Sequence, residues 1–266
     1  MQLVEAGVLD LDQPMAEYSE WARFCSDFSE QPSIFAQDLE CEPPVHRLRH
    51  LLSHTAVSTP GDSFSYNPVL YSWASRPIAV AAGTSFSVLV KEYVLEPVAM
   101  DQSARTYRDL PLPENFLKRL AMPYKTSESG ENERAPLPPP QGDGAAGGIM
   151  STVLDLARFD IAFDSGQLIS AESRAEMMSP TISNSGNALP YGLGWYVEDY
   201  QGTTLNWHSG WWDDAYSALY LKIPEHELSF ILLANSEGVW WENPLDKAEI
   251  HRSEFVQVFM QAFLSE

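Results

Sequence analysis

Positive charge is what this sequence has least of. Sixteen Lys and Arg stand against thirty-seven Asp and Glu in 266 residues, a formal net charge of -21 at pH 7. A nucleic-acid footprint needs a basic patch, so that class of partner is excluded. Anionic membrane surfaces are disfavoured for the same reason. The carboxylate excess favours solubility and suits a salty medium that screens its repulsion. Cysteine is nearly absent: Cys25 and Cys41, sixteen positions apart, could form one disulfide or stay free thiols. Two cysteines do not make a disulfide framework. No apolar run approaches the roughly eighteen residues of a transmembrane helix. Residues 1–7 (MQLVEAG) carry neither a basic region nor a long apolar stretch, so they do not read as a signal peptide. Cellular location stays open. Gly-x-Ser-x-Gly is absent, and no Lys-Ser/Thr follows Gly147-Gly148, which excludes a phosphate-cradling loop.

What is present is a change of period along the chain. Residues 45–53 are apolar at helical spacing through Leu48, Leu51 and Leu52. A helix is expected after Pro68, with a kink or boundary at Pro77. Phe86, Leu89, Val90 and Tyr93 mark a helix over 84–95 that Pro97 ends. A connector over 107–137 leads to a Pro- and Gly-rich stretch at 137–144. Ser151 or Thr152 caps the next helix, and Ser170 caps another that ends near Met178. From Tyr191 the period becomes two. Strands are expected at 191–198, 203–207, 216–222 and 228–234, with Ser209-Gly210 as one of the turns between them. Short connections make them an antiparallel meander. Residues 254–264 form a last amphipathic helix for packing on the sheet. The expected class is α+β. Residues 1–6 read as the last turns of a helix closed by Gly7, which leads us to expect a part of the protein upstream of residue 1.

Several segments, in fixed order, resemble the beta-lactamase-related serine hydrolases, a group that includes class C beta-lactamases, penicillin-binding DD-peptidases, D-aminopeptidases and related esterases. They are residues 1–14 (MQLVEAGVLDLDQP), 49–56 (RHLLSHTA), 60–71 (PGDSFSYNPVLY), 96–100 (EPVAM), 146–159 (AGGIMSTVLDLARF), 191–195 (YGLGW), 207–210 (WHSG) and 228–235 (LSFILLAN). The resemblance implies a beta-lactamase/transpeptidase-like fold. It implies one domain over 1–266, mostly helical over 40–180, with an antiparallel sheet and C-terminal helix over 190–266. Its chemistry would be cleavage of an ester, amide or peptide bond through an acyl-enzyme. That chemistry rests on a Ser-x-x-Lys, a Tyr-x-Asn and a Lys-Thr-Gly or His-Ser/Thr-Gly. The first belongs just upstream of a segment like residues 1–14, and no Ser-x-x-Lys occurs between Met1 and Glu266. The first strands and the nucleophile helix are therefore expected to be missing, the polypeptide to be inactive as written, and a bare strand edge to invite self-association. A non-catalytic domain that uses the same cleft for binding is the alternative.

By this resemblance Tyr66 and His208 are the catalytic candidates. A tyrosine beside a serine hydroxyl can relay its proton, and an imidazole can donate to a substrate carboxylate or an oxyanion. The two should face one another across the cleft, with Gly147 and Gly148 nearby. Asn67, Gly147, Gly148, Ser209, Gly210 and Trp211 are the substrate-binding candidates. The family pattern places its asparagine where Pro68 stands, with Asn67 displaced by one. His208, where lysine is frequent, implies less dependence on an anionic substrate. His46, His50 and His54 recur every four residues, but side chains spread over two helical turns do not converge on one tetrahedral ion. No metal or cofactor is expected. Asp213 and Asp214 are adjacent on a loop and make a poor acid/base pair. The partner implied is a small ester, amide or peptide.

Overall fold

The computed structural model describes residues 1–30, 39, 41, 45–105, 112–126, 131–139, 142–241 and 244–264. Of the expected connector, residues 107–111 and 127–130 lie outside the described residues, as do Pro140 and Gln141. The helical region contains α1 (Trp21–Glu30), α2 (Leu48–Leu52), α3 (Pro68–Trp73), α4 (Ser75–Ala82), α5 (Phe86–Val90), α6 (Val153–Asp164) and α7 (Ala171–Met178). A four-stranded sheet follows, with β1 (Tyr196–Tyr200), β2 (Thr203–Trp212), β3 (Tyr216–Ile223) and β4 (Leu228–Ala234) in that order, every neighbour antiparallel. The helix α8 (Glu254–Leu264) packs on one face of the sheet. This is the expected α+β class.

Local chemistry explains the boundaries. Asn67 caps α3, its Oδ1 accepting the Leu70 N–H at 3.0 Å, and Pro68 fills the first helical position, where no N–H is needed. Pro77 falls in the first turn of α4, so the chain breaks before it, at Ala74, rather than at Pro77 itself. The helix expected over 84–95 is α only to Val90 and then widens into a π-turn over Lys91–Leu95. Thr152 and Ser170 cap α6 and α7, accepting from Asp155 N and Ser173 N at 3.2 and 3.1 Å. A short helix, Gln2–Glu5, ends at Ala6, and Gly7 takes the left-handed conformation.

Two strand expectations need correction. Ser209 and Gly210 form no turn: β2 runs through them to Trp212, with Ser209 opposite Leu219 and Gly210 opposite Ala218 on β3. The reversal comes later, where Asp214 is left-handed and Ala215 N donates to Trp212 O at 3.0 Å. β1 begins at Tyr196, not Tyr191. Residues 191–195 instead wrap beneath α7, and a Cβ on Gly192 would lie 2.2 Å from the Met177 carbonyl oxygen.

The sheet separates two environments. Leu205, Trp207, Leu219, Leu221 and Ile223 are buried with Ile250 and with Val256 of α8. On the other face, a buried ammonium, Lys222 Nζ, pairs with Asp160 and sits 2.8 Å from Asp164, both on α6. Tyr220 OH also donates to Asp160. A second core lies among α1–α4, where Trp21 stacks edge-on to Trp73 with centroids 5.1 Å apart. Cys25 on α1 is bonded to Cys41. Among the described residues no single helix is long and apolar enough to cross a membrane.

Candidate active site

A cavity of about 210 Å³ opens between the helical region and the sheet, lined by His54, Tyr66, Pro68, Tyr71, Ala145, Ala146, Gly147, Tyr191, Gly194 and His208. Each wall has a structural origin. His54 sits just after α2 in a left-handed conformation (φ 55°), which turns the chain into the 55–66 loop. Its Nδ1 accepts the Asn67 N–H at 3.0 Å, so the neutral ring carries its proton on Nε2. Tyr66 precedes the Asn67 cap, and Tyr71 lies one turn into α3. His208 comes from the middle of β2. Its Nδ1 is 2.7 Å from the carbonyl oxygen of Ser209, an acceptor only, so the ring donates there and Nε2 keeps a lone pair.

The third wall is backbone. Ala145 N donates to Ser72 O at 3.1 Å. Gly144 passes so close to α3 that a Cβ there would fall 1.6 Å from Ser72 Oγ and 3.0 Å from Ser72 Cβ, so any larger residue would force the Ser72 side chain to turn away. The buried guanidinium of Arg105 holds the loop from below. It donates to the carbonyls of Gly144 and Gly147, the latter at 2.7 Å, and to Ser87 Oγ at 2.9 Å. Asp143 accepts from the N–H groups of Phe86 and Ser87, each at 2.8 Å, tying the loop to the first turn of α5.

Tyr66 and His208 thus share one cavity, ring centroids 6.1 Å apart, and Gly147 lies on its rim wall. The other candidates lie elsewhere. Gly148, Ser209, Gly210 and Trp211 do not line it. The Asn67 side chain is turned into the α3 cap, and Pro68 takes the lining position. Trp211 is half exposed, stacked on Trp240 with centroids 5.8 Å apart, and its Nε1 donates to Glu237 at 2.6 Å. His46, His50 and His54 do not converge. Their bonds run to Ala56 O, from Arg47 N and from Asn67 N respectively, and α2 holds only His50 of the three.

Sequence reasoning weighed His54 only with His46 and His50 as a metal ligand and did not place it, Tyr71, Tyr191 or Gly194 in the cleft. All four fall in the segments RHLLSHTA, PGDSFSYNPVLY and YGLGW. The usable signal was an aromatic or imidazole residue in each of the segments that meet in the cleft.

Electrostatically the cavity is uncharged. Burial pushes the Tyr66 and Tyr71 phenols up to about 12, and that of Tyr191 well above its usual range. Burial, then the nearby His208, lowers His54 to about 3. Burial also lowers His208, against the opposing bond to the Ser209 carbonyl. At neutral pH every titratable wall group is neutral. No Ser, Thr, Cys or Lys is among the lining residues. The groups these residues offer are hydrogen-bond donors and acceptors and aromatic rings.

The family model described as beta-lactamase matches residues 1–252. Among curated proteins, penicillin-binding protein 4* of Bacillus subtilis (strain 168) is 28% identical over 206 residues, covering 72% of this chain and 44% of its own length. A putative penicillin-binding protein of the same organism is 27% identical over 136 residues, 50% of this chain and 32% of that protein. The chain thus spans less than half the length of these curated relatives. Among solved structures, the octameric penicillin-binding protein homologue from Pyrococcus abyssi superposes with a TM-score of 0.70 at 22% identity, over 98% of this chain and 62% of that one. The D-amino acid amidase from Ochrobactrum anthropi SV3 gives 0.64 at 20% identity, over 88% and 72%. At such identities the likeness establishes the fold.

Proposed function

The chain belongs to the beta-lactamase family, and from that membership we propose that its cleft is a serine-hydrolase site for esters, amides or peptides in which this polypeptide alone binds but does not form an acyl-enzyme. The observation that carries this is the cavity lining: Tyr66 and His208 are present, and no nucleophile or activating lysine is. Tyr66, held as a phenol, serves as a proton donor rather than a base, since an unpaired phenolate would need a cation beside it. His208, fixed by the Ser209 carbonyl, presents a lone pair to an incoming hydroxyl or amide proton. The backbone of Gly147 borders the cavity, with Gly148 next in the chain, Ser209 and Gly210 continue the strand after His208, and Asn67 caps α3 through the Leu70 N–H, while Trp211 lies outside the lining. The segments 40–180 and 190–266 act as one domain, because the cavity takes walls from both.

That no Ser, Thr, Cys or Lys stands among the described lining residues supports the alternative reading of a binding domain. One experiment tests both. Purified residues 1–266 are assayed with p-nitrophenyl acetate, p-nitrophenyl butyrate and a chromogenic cephalosporin, then treated with a fluorophosphonate probe. We expect no enzyme-like turnover and no stoichiometric label. Turnover together with one labelled serine per chain would overturn the proposal.

Self-association is the second part of the proposal. The outer edge of β4 has no strand partner among the described residues, and an open edge is a template for pairing. The octameric state of the Pyrococcus abyssi homologue gives precedent. Sedimentation velocity at several concentrations checks this, and a monomer throughout would refute it.

A further inference from the structure

We propose that a second copy of this chain covers an apolar stripe on α8, the two α8 helices packing antiparallel across a two-fold axis that also joins the two β4 edges. This rests on the self-association reading and adds to it the helix and the side chains that make the contact.

The α8 sequence, EFVQVFMQAFL, has polar side chains only at Glu254, Gln257 and Gln261. It carries more apolar surface than one sheet face uses. Val256 is fully buried, and Phe259 stacks on Phe230 of β4 with centroids 4.7 Å apart. A second stripe runs beside that contact at i, i+3, i+4, i+7 and i+8: Phe255, Val258, Phe259, Ala262 and Phe263. Phe255, Val258 and Phe263 are 44%, 66% and 63% exposed. With Phe230 and Glu254 the stripe lines a groove of about 410 Å³. Phe230 carries that groove to β4, whose outer edge has no strand partner among the described residues. Helix stripe and strand edge thus form one continuous uncovered surface.

Charge favours a second copy as the occupant. Two chains of net charge -21 repel wherever their general surfaces meet. A patch almost free of carboxylates is where one copy can face another, and the groove holds a single charge, Glu254, in the first turn of the helix. A two-fold axis sets the two helices antiparallel. The two Glu254 carboxylates then stand about 15 Å apart, the rise of ten helical residues, and neither is forced against the other.

Size decides how tightly the copies hold. At about 200 Å² per phenylalanine, the exposed parts of Phe255, Val258 and Phe263 come to about 300 Å² per copy. The seven residues of β4, at about 3.4 Å each and a layer depth of about 10 Å, add roughly 240 Å². The dimer then buries about 1,100 Å², beside the ~1,200 Å² at which stable interfaces begin. Neither part reaches that size alone, so helix and edge engage together and the dimer is a weak one.

The test is a crosslink read beside sedimentation velocity. Cys25 and Cys41 are bonded to each other, so Val258→Cys introduces the sole free thiol, near the middle of the stripe. Val80→Cys places one on α4, at a position 73% exposed and outside the groove. A short bismaleimide should join most of the Val258→Cys protein into covalent dimers and leave Val80→Cys as single chains. The parent should sediment as a monomer–dimer mixture with a dissociation constant of order 10 µM. Raising salt from about 0.05 to 0.5 M should tighten it about threefold or more, because repulsion is screened while the apolar contact is not. The two readings fail separately. A chain that associates without the Val258→Cys crosslink, crosslinks equally through Val80→Cys, or is dissociated by salt would overturn this proposal and leave pairing at the β4 edge standing. A monomer at every concentration would overturn both, and an apolar dye bound in the groove of that monomer would assign the cover to a different polypeptide.

Discussion

Trp207 and His208 are adjacent on β2 and look out from opposite faces of the sheet, because side chains alternate along a strand. Trp207 is fully buried, ring-stacked on Tyr196 at 4.2 Å, in an apolar core under α8. His208 faces the helical region beside Tyr220, its cross-strand neighbour, with Lys222 two residues further on β3. The cleft face keeps polar groups out of water only where each has a partner: Lys222 with Asp160, Asp164 and Ser229, Tyr220 with Asp160, His208 with the Ser209 carbonyl. The back face relies mostly on apolar cover, its one buried carboxylate, Glu198, being met by the Ile250 N–H at 2.7 Å and by His251. Beyond α8 that cover ends. Phe230, Phe255, Val258, Phe259, Ala262 and Phe263 line an apolar groove of about 410 Å³ next to the free edge of β4. Across Leu228–Ala234 and Glu254–Leu264 the only charged residue is Glu254, in a chain that is 20% charged. One face is thus held mainly by matched polar pairs and the other mainly by apolar cover around the single buried carboxylate Glu198. The two should fail differently.

The largest effect is expected from breaking the matched pairs. Lys222→Ala removes a buried ammonium and leaves the partly buried Asp160 with only the Tyr220 and Ser229 hydroxyls, and should cost about 2–4 kcal/mol in urea denaturation. A loss under about 1 kcal/mol would mean that the network holds little of the cleft face together. Next comes acid. His54 and His50 have pKa values lowered to about 3 and about 4, in both cases chiefly by burial. Their folded values lie below the unfolded ~6.5, so the stability they contribute is whole above that pH and is lost as pH falls through the window toward 4 and 3. Between pH 6.5 and 5, above most carboxylate titrations, each should remove up to roughly 1.4 kcal/mol per pH unit. His54→Gln should flatten this slope by one proton, and an unchanged slope would refute the assignment.

The back face should respond in association rather than folding. Val258 and Phe263 are both more than 60% exposed, at 66% and 63%. Val258→Glu with Phe263→Glu should keep stability within about 0.5 kcal/mol of the parent while shifting sedimentation toward monomer. The smallest effect is predicted at Trp211, whose half-exposed ring does not line the cavity: Trp211→Ala should change stability in urea denaturation by less than about 1 kcal/mol, and a larger loss would show that its contacts with Trp240 and Glu237 hold the β2–β3 reversal.

Long periodic elements were legible before any coordinates. The strands at 216–222 and 228–234 and the helix at 254–264 each lie within one residue of the structure. Periodicity reads what is repeated, and the misreadings fall where one contact decides. Ser209-Gly210 reads as a turn because glycine is a common breaker, yet Gly210 is paired inside β2 and the bend falls at Asp214. Residues 191–195 read as strand because they alternate, but Gly192 is pinned against the Met177 and Ser179 carbonyls. The site was legible in part for the same reason. Tyr66 and His208 stand in motif positions, whereas His54 enters the cavity through a left-handed backbone that no spacing encodes. The Asn67 side chain shows the limit most plainly. Its displacement by one residue was visible in sequence, but its use as a helix cap was not.

The Arg105 clamp has a bearing on how fast and how cheaply anything could enter. A loop that must organise around its guest charges the ordering of each residue to the association. Here the guanidinium and the Asp143 carboxylate have already fixed residues 142–147 when the chain folds. The wall they hold has only methyl groups and bare backbone at Ala145, Ala146 and Gly147, so no rotamer has to freeze on contact. A visitor to this wall meets backbone already held by hydrogen bonds, so the ordering cost of residues 142–147 falls on folding and not on association.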